Sequence, residues 1–328
     1  MKRVNNLYDS IISLENLRLA YNKARQGKTN THGVRLFDRD SENYLQQLQK
    51  ELFEKTYRTS QYSVFTIYEP KERIIYRLPF RDRVVHHAIM NVLEQIWVPI
   101  FINNTYACVK GRGIHGALKH LKRDLKDITG TKYCLKMDIR KFYPTIDHSI
   151  LKSIIRKKIK DIQLLDLLDE IIDSAPGIPI GNYLSQFFAN LYLSYYDHWL
   201  KEEKQIRYYY RYADDMVILF EDKPFLHGLL GKIKQYLDKE LNLQLNQNYQ
   251  VFPVDDRGID FVGYVFFHTH ILMRKSIKKR FCRRVAKINK RNLEPPEYKH
   301  QISSWLGWAK HCNSKNLINT ILDHEKVF

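Results

Sequence analysis

Tyr208-Tyr209-Tyr210-Arg211-Tyr212-Ala213-Asp214-Asp215-Met216-Val217-Ile218-Leu219-Phe220 contains two aromatic and aliphatic runs separated by Ala213-Asp214-Asp215. Such side chains suit a pleated, half-buried surface. Two such runs with a short break predict a hairpin over Tyr208–Tyr212 and Met216–Phe220. A turn between buried strands sets its carboxylates at the end of a sheet, on rigid supports. Two neighbouring acids also make an ordinary polar turn, so the pair alone does not define a site.

A second segment changes the balance. Tyr133-Cys134-Leu135-Lys136-Met137-Asp138 follows the Gly130 break and reads as a strand with an acid at its end. One carboxylate from this strand and one or two from the hairpin are expected to converge at neighbouring strand ends. Converging carboxylates repel, and divalent cations relieve the repulsion. Mg²⁺ favours a few carboxylates together with substrate phosphates. Two such ions about 3.5–4 Å apart stabilise the attacking and leaving oxygens of phosphoryl transfer.

Outward from these strands, the first sixty residues read as helical, with Leu45, Leu48, Leu52 and Phe53 at helical spacing. Strands are expected over 61–68 and 73–78, with Pro70 ending the first, and a helix over 82–97. Helices are expected over about 148–174, 182–201 and 224–240, and further strands near 249–254 and 259–267. Strands and helices mixed without regular βαβ alternation predict an α+β fold. Arg274–Arg291 holds only basic charges and reads as a basic helix, with Lys275, Lys278, Lys279, Arg283 and Lys287 as candidate nucleic-acid-binding residues. A solvated face is the plain alternative. The absence of a balancing acid favours phosphate tracking.

Composition points the same way. The 328 residues carry 54 Lys+Arg against 36 Asp+Glu, a formal charge of +18, which attracts polyanions such as RNA or DNA. A hydrophobic share of 44% excludes a disordered tail. Cys108, Cys134, Cys282 and Cys312 are dispersed, so free buried thiols in a reducing cytoplasm are expected rather than disulfides or a zinc ribbon. His268-Thr269-His270 lacks nearby partner ligands for zinc. Met1-Lys2-Arg3-Val4-Asn5-Asn6 precedes no apolar run, so no signal peptide is expected. No stretch approaches the ~20 apolar residues of a membrane span.

Tyr212-Ala213-Asp214-Asp215, with Asp138 followed by Tyr143, resembles the reverse transcriptases. So do Pro70-Lys71-Glu72-Arg73-Ile74-Ile75-Tyr76-Arg77 with Asp82-Arg83, Thr105-Tyr106-Ala107-Cys108 with Gly111-Arg112-Gly113-Ile114-His115, and Phe261-Val262-Gly263-Tyr264. The resemblance covers nearly the whole chain. It implies a right-hand polymerase with N-terminal helices and fingers over 1–130 (with about 150–180 added to the fingers), a palm over 131–265, and a basic helical thumb over 266–328. Gly177-Ile178-Pro179-Ile180-Gly181-Asn182-Tyr183-Leu184-Ser185-Gln186 departs from the usual Gln-Gly-x-x-x-Ser-Pro, with Ile180 for Gln and Gln186 for Pro. That pattern, with Ser303-Ser304-Trp305-Leu306-Gly307-Trp308-Ala309, is similar to the enzymes of diversity-generating retroelements. Those enzymes copy a template RNA while misreading adenines, and the cDNA diversifies a target gene.

Roles follow as the resemblance implies. Asp138 and Asp214 would bind two Mg²⁺ ions, Asp215 would assist, and the Ile139 carbonyl would complete one site. Lys71 and Arg73 would grip the incoming dNTP phosphates, the alternative being ion pairs with Glu72 or Asp82. Tyr143 would exclude a 2′-OH by bulk, or else is a core aromatic. Ile180 and Gln186 would lie in the nucleotide pocket. Replacing Gln by Ile180 removes one polar contact, on the order of 1–3 kcal/mol or roughly tenfold to a hundredfold in discrimination. Low fidelity is therefore expected, and its focus on adenine comes from the resemblance alone. Ile180 packing on the palm is the plain alternative. Leu243-Gln244-Leu245-Asn246-Gln247-Asn248-Tyr249 lacks the Lys that many relatives place there, which implies slow chemistry.

The expected partners are the template RNA, the RNA–cDNA duplex, dNTPs and a small basic pentameric accessory protein. Glu294, Glu297, Asp323 and Glu325 are too dispersed for an RNase H domain. Competing readings are an antiviral-defence reverse transcriptase, an RNA-dependent RNA polymerase and a catalytically inactive nucleic-acid-binding scaffold.

Overall fold

The computed structural model describes residues 3–68, 72–291 and 293–322. The chain begins with helices α1 (Tyr8–Ile12), α2 (Leu14–Arg25), α3 (His32–Asp38) and α4 (Ser41–Phe53). Strands β1 (Ser63–Ile67) and β2 (Arg73–Arg77) follow, then α5 (Phe80–Trp97) and α6 (Gly113–Asp124). Next come β3 (Tyr133–Asp138), α7 (Phe142–Thr145), α8 (His148–Arg156), α9 (Ile162–Asp173), α10 (Tyr183–Tyr192) and α11 (Ser194–His198). Strands β4 (Tyr208–Tyr212) and β5 (Asp215–Phe220) lead into α12 (Lys223–Leu241). The remainder is β6 (Gln250–Pro253), α13 (Val254–Arg257), β7 (Ile259–Phe261), β8 (Tyr264–Phe266), β9 (Ile271–Met273), α14 (Lys275–Lys290), α15 (Pro295–Ala309) and α16 (Lys315–Ile321).

The chain divides into two compact units. The first comprises Met1–Lys110, Ile139–Ile206 and Ile233–Asn246, and the second Gly111–Asp138, Arg207–Lys232 and Gln247–Phe328. In the first unit α5 is apolar on most sides: Val84, Val85, Ala88, Ile89, Met90, Leu93 and Trp97 are all buried. A helix apolar around its circumference belongs at a core, and α1, α2 and α10 pack against it. β1 and β2 form a two-stranded antiparallel ribbon, with Ser63 opposite Arg77 and Ile67 opposite Arg73.

The expected helix over 148–174 is two helices. Asp161 ends the run between them: its carboxylate accepts from the Leu164 N–H at 3.2 Å and from the Leu7 and Tyr8 N–H groups at 2.6 and 3.0 Å. An Asp that satisfies free amides at two helix starts outweighs the helical periodicity around it.

The second unit is built on a four-stranded antiparallel sheet of order β4-β5-β3-β6. Met216, Val217, Ile218 and Leu219 of β5 are buried on both faces, which is why the strand reads as a continuous apolar run. A smaller antiparallel sheet runs β7-β8-β9; β9 was not foreseen, being three residues long. Phe281, Val285 and Ile288 turn one face of α14 into a small core with Tyr298, Ile302 and Leu322. Among the described residues no helix is long and apolar enough to cross a membrane.

Candidate active site

The second unit brings two of the predicted carboxylates side by side. Residues from Tyr133 to Asp138 pair with Phe220 to Asp215, so Asp138 lies directly opposite Asp215. Cross-strand partners project to the same face, and like charges placed so are destabilising. The hairpin turn is shorter than the sequence suggested. Tyr212 pairs with Asp215, leaving Ala213 and Asp214 as a two-residue turn and Asp215 as the first residue of β5. Ala213 has φ +55°, a left-handed conformation usually left to glycine. The fully buried Arg211 helps hold it, donating from Nη1 to the Ala213 carbonyl at 3.0 Å.

Lys136 precedes Asp138 by two residues and therefore shares its face. Its Nζ lies 2.5 Å from Asp215 Oδ1 and 5.7 Å from the centre of the Phe261 ring. Burial pushes the Asp215 carboxyl above the usual carboxylate range. Lys136 and Arg274 pull it down and Asp138 adds to the rise. A cavity of about 390 Å³ extends from Lys136 and Asp138 to Arg257 and Asp260, and Asp260 Oδ1 is 2.5 Å from Arg274 Nε. Facing carboxylate oxygens, partly dehydrated, are hard donors of the kind Mg²⁺ takes. The donor set therefore fits a divalent ion. Among the described residues no three His, Cys, Asp or Glu side chains are gathered at metal-ligating distance.

The first unit stitches other predicted residues together. The Tyr76 N–H of β2 donates to the Ile180 carbonyl at 2.9 Å, and the Ile178 N–H donates to the Tyr143 carbonyl at 2.8 Å. The loop carrying Ile180 thus spans from α7 to the strand that begins at Arg73. Gly181 (φ +121°) permits this, since a Cβ there would lie 2.6 Å from the Tyr76 carbonyl oxygen. The Ser185 hydroxyl donates to the Pro179 carbonyl at 2.7 Å, tying the loop to α10. Tyr143 and Ile180 are half-buried, and Gln186 is exposed on α10. Ile139 is buried and bridges to Leu245. Arg73 is exposed and makes no ion pair with Asp82, because Asp82 is buried and accepts from the Tyr57 hydroxyl at 2.9 Å and the Ser60 N–H at 3.1 Å. Lys71 lies outside the described residues.

On α14, Lys275, Lys278, Lys279, Arg283 and Lys287 are all exposed, opposite its apolar face. The β7–β8 turn at Val262 (φ +44°) and Gly263 (φ +89°) packs on α15: a Cβ on Gly263 would lie 2.4 Å from the Trp308 ring. His268 is engaged by Asp255 at 2.7 Å and by Thr131 at 3.0 Å. The sequence reading missed Lys136 and Arg211. The two-residue alternation of β3 was the signal for the first; nothing in the sequence marks the second.

Residues 69–266 match the model of the family described as reverse transcriptase (RNA-dependent DNA polymerase). The chain belongs to the reverse transcriptase family. Reverse transcriptase domains generally use divalent metal ions, in keeping with the Asp138–Asp215 pairing, and the fold is that of a right-hand polymerase of the α+β class. Protein YkfC of Escherichia coli is 25% identical over 240 residues, covering 60% of this chain and 61% of that protein. The group II intron-encoded protein LtrA of Lactococcus lactis is 29% identical over 136 residues, covering 38% of this chain and 22% of that protein. The chain therefore spans less than two thirds of these relatives. A solved apo telomerase from Candida tropicalis aligns over 71% of this chain and 52% of its own, with a TM-score of 0.49 and 12% identity.

Proposed function

We propose that this reverse transcriptase is an RNA-directed DNA polymerase that extends a primer on template RNA by metal-assisted nucleotidyl transfer. The observation that carries the reading is the placement of Asp138 opposite Asp215 at the end of the Tyr-Ala-Asp-Asp hairpin. Asp138 and Asp214 hold the metals, the Ile139 carbonyl adds a ligand, and Asp215 assists from its ion pair with Lys136. Magnesium, when bound, supplies charge stabilisation to the attacking and departing oxygens. Lys71 and Arg73 offset charge as pyrophosphate leaves. Tyr143 excludes the 2′-OH of a ribonucleotide by bulk. In this proposal 1–130, with about 150–180, serve as N-terminal helices and fingers, 131–265 as palm and 266–328 as thumb. The exposed cations of α14 follow duplex phosphates by shape and charge.

The finer reading is error-prone copying in a diversity-generating retroelement. It is supported by Ile180 and Gln186, which stand where most relatives carry Gln and Pro. An aliphatic side chain at 180 cannot hydrogen-bond at the nascent pair, so a poor fit is penalised less. The partners in this reading are a specific template RNA and a pentameric basic accessory protein. The test is cDNA sequencing after incubation with the RNA encoded beside the gene, together with dNTP and NTP incorporation. Substitutions confined to adenines support the finer reading, and faithful cDNA leaves only the polymerase. No incorporation by the wild type, or unchanged incorporation by Asp214→Asn, refutes both.

A further inference from the structure

A second cavity, of about 350 Å³, lies wholly within the first unit and has a composition that fold stability does not require. Lys28 from the α2–α3 loop, Arg77 at the end of β2 and Arg83 in the first turn of α5 all line it, with His32, Thr31 and Ser63. Ser63 is the cross-strand partner of Arg77, whose guanidinium also covers the Phe65 ring. Among the described residues no carboxylate lines the cavity. Three acids of the same unit are committed elsewhere. Asp82 accepts from Tyr57 and Ser60, Glu51 pairs with Arg81, and Asp38 pairs with Arg25. Burial lowers the Arg83 pKa and Arg77 lowers it further; burial lowers that of Lys28 and Arg83 adds to it. Arg83 is half-buried while Lys28 and Arg77 are exposed; three cations lining one hollow repel one another, and a stabilising fold would pair them with acids. Guanidinium and ammonium donors beside hydroxyls are what a phosphate oxygen accepts from.

We propose that this cavity is a phosphate-binding site, filled by a phosphodiester of a bound nucleic-acid strand or by the phosphates of a free nucleotide. The choice of these two sources rests on the polymerase reading; the anion site itself does not. It is separate from Arg73, which lies four residues earlier on β2 and is absent from its lining.

The test uses the full chain and two variants, Lys28→Gln and Arg83→Gln. The probes are inorganic phosphate, a dNTP and a fluorescein-labelled single-stranded RNA. Inorganic phosphate should raise the melting temperature of the wild type and have a smaller effect on either variant. If a strand fills the site, each variant should bind RNA roughly tenfold more weakly. The slope of log affinity against log salt should then fall by about 0.7 for each phosphate that the variant no longer neutralises. If a nucleotide fills it, dNTP affinity falls and RNA affinity holds. Lys28→Arg should restore whichever affinity Lys28→Gln removes. Without ligand, Arg83→Gln should melt no lower than the wild type, since it removes repulsion and, among the described residues, no partner. Unchanged binding of all three probes in both variants overturns the proposal. Asp214→Asn serves as the divider: it should bind inorganic phosphate and RNA like the wild type. Loss of polymerase activity with Lys28- and Arg83-dependent binding intact separates the two claims.

Discussion

Lys136→Met is the perturbation that tests the carboxylate pairing most directly. Asp138 and Asp215 face one another across two strands, and the Lys136 ammonium, 2.5 Å from Asp215, offsets their repulsion. Its side chain is 25% exposed and that of Asp215 is 31% exposed. The pair thus lies between a surface ion pair, worth up to about 1 kcal/mol, and a buried one, whose disruption costs about 3–5 kcal/mol. Removing the ammonium while keeping the bulk should cost about 1–3 kcal/mol in a chelator. At roughly 2 °C per kcal/mol for a chain of this size, the melting temperature should fall by about 2–6 °C. Magnesium should then recover more stability in the variant than in the wild type, because the ammonium no longer offsets the Asp215 charge and binding to the folded state alone stabilises it. The assay is thermal denaturation in EDTA and across a magnesium titration. Arg18→Met, which breaks the exposed pair with Glu42, is the control and should leave melting unchanged. If Lys136→Met melts like the wild type in EDTA, or magnesium raises both proteins equally, the two carboxylates do not form a cation site.

Other outcomes follow from single positions. His86 is fully buried and, among the described residues, neither ring nitrogen is hydrogen-bonded; burial, with His87 and Arg83, lowers its pKa to about 3. The unfolded chain takes up this proton first, so stability is complete above about pH 6.5 and declines as pH falls toward 3; by pH 5 the loss is at most about 2 kcal/mol, and His86→Met should flatten it in denaturant titrations at pH 7 and 5. Ala213→Gly relieves the left-handed turn residue and should raise stability by up to about 1 kcal/mol. Gly263→Ala drives a methyl group toward Trp308 at a φ of +89° and should cost more than about 2 kcal/mol by thermal melting. Ile180→Gln should lower misincorporation opposite template adenine roughly tenfold or more in cDNA sequencing, and unchanged errors would remove Ile180 from the fidelity mechanism.

How much of this was legible in the sequence depended on whether each feature is local along the chain. The paired strands were readable because β3 and β5 lie buried, so apolar runs stop where the carboxylates begin. The extent of the turn was not, because alternation shows which face a residue takes and not where pairing ends; only the register placed Asp215 in the strand. Lys136 was within reach of the same alternation, yet a lysine in a strand reads as an edge or solvent residue until its partner is known. The break at Asp161 could not be read, since it depends on the Leu7 and Tyr8 amides, whose sequence separations are 154 and 153 residues. The basic cavity is the extreme of the same kind. Lys28, Arg77 and Arg83 sit in a loop, a strand end and a helix start, and each alone is an ordinary surface cation in a chain of net charge +18. Their meaning arises from lining one cavity together, which no local pattern encodes. Facing carboxylates can thus stand out in two short motifs, while cations scattered along the chain become a candidate site only when the chain closes around them.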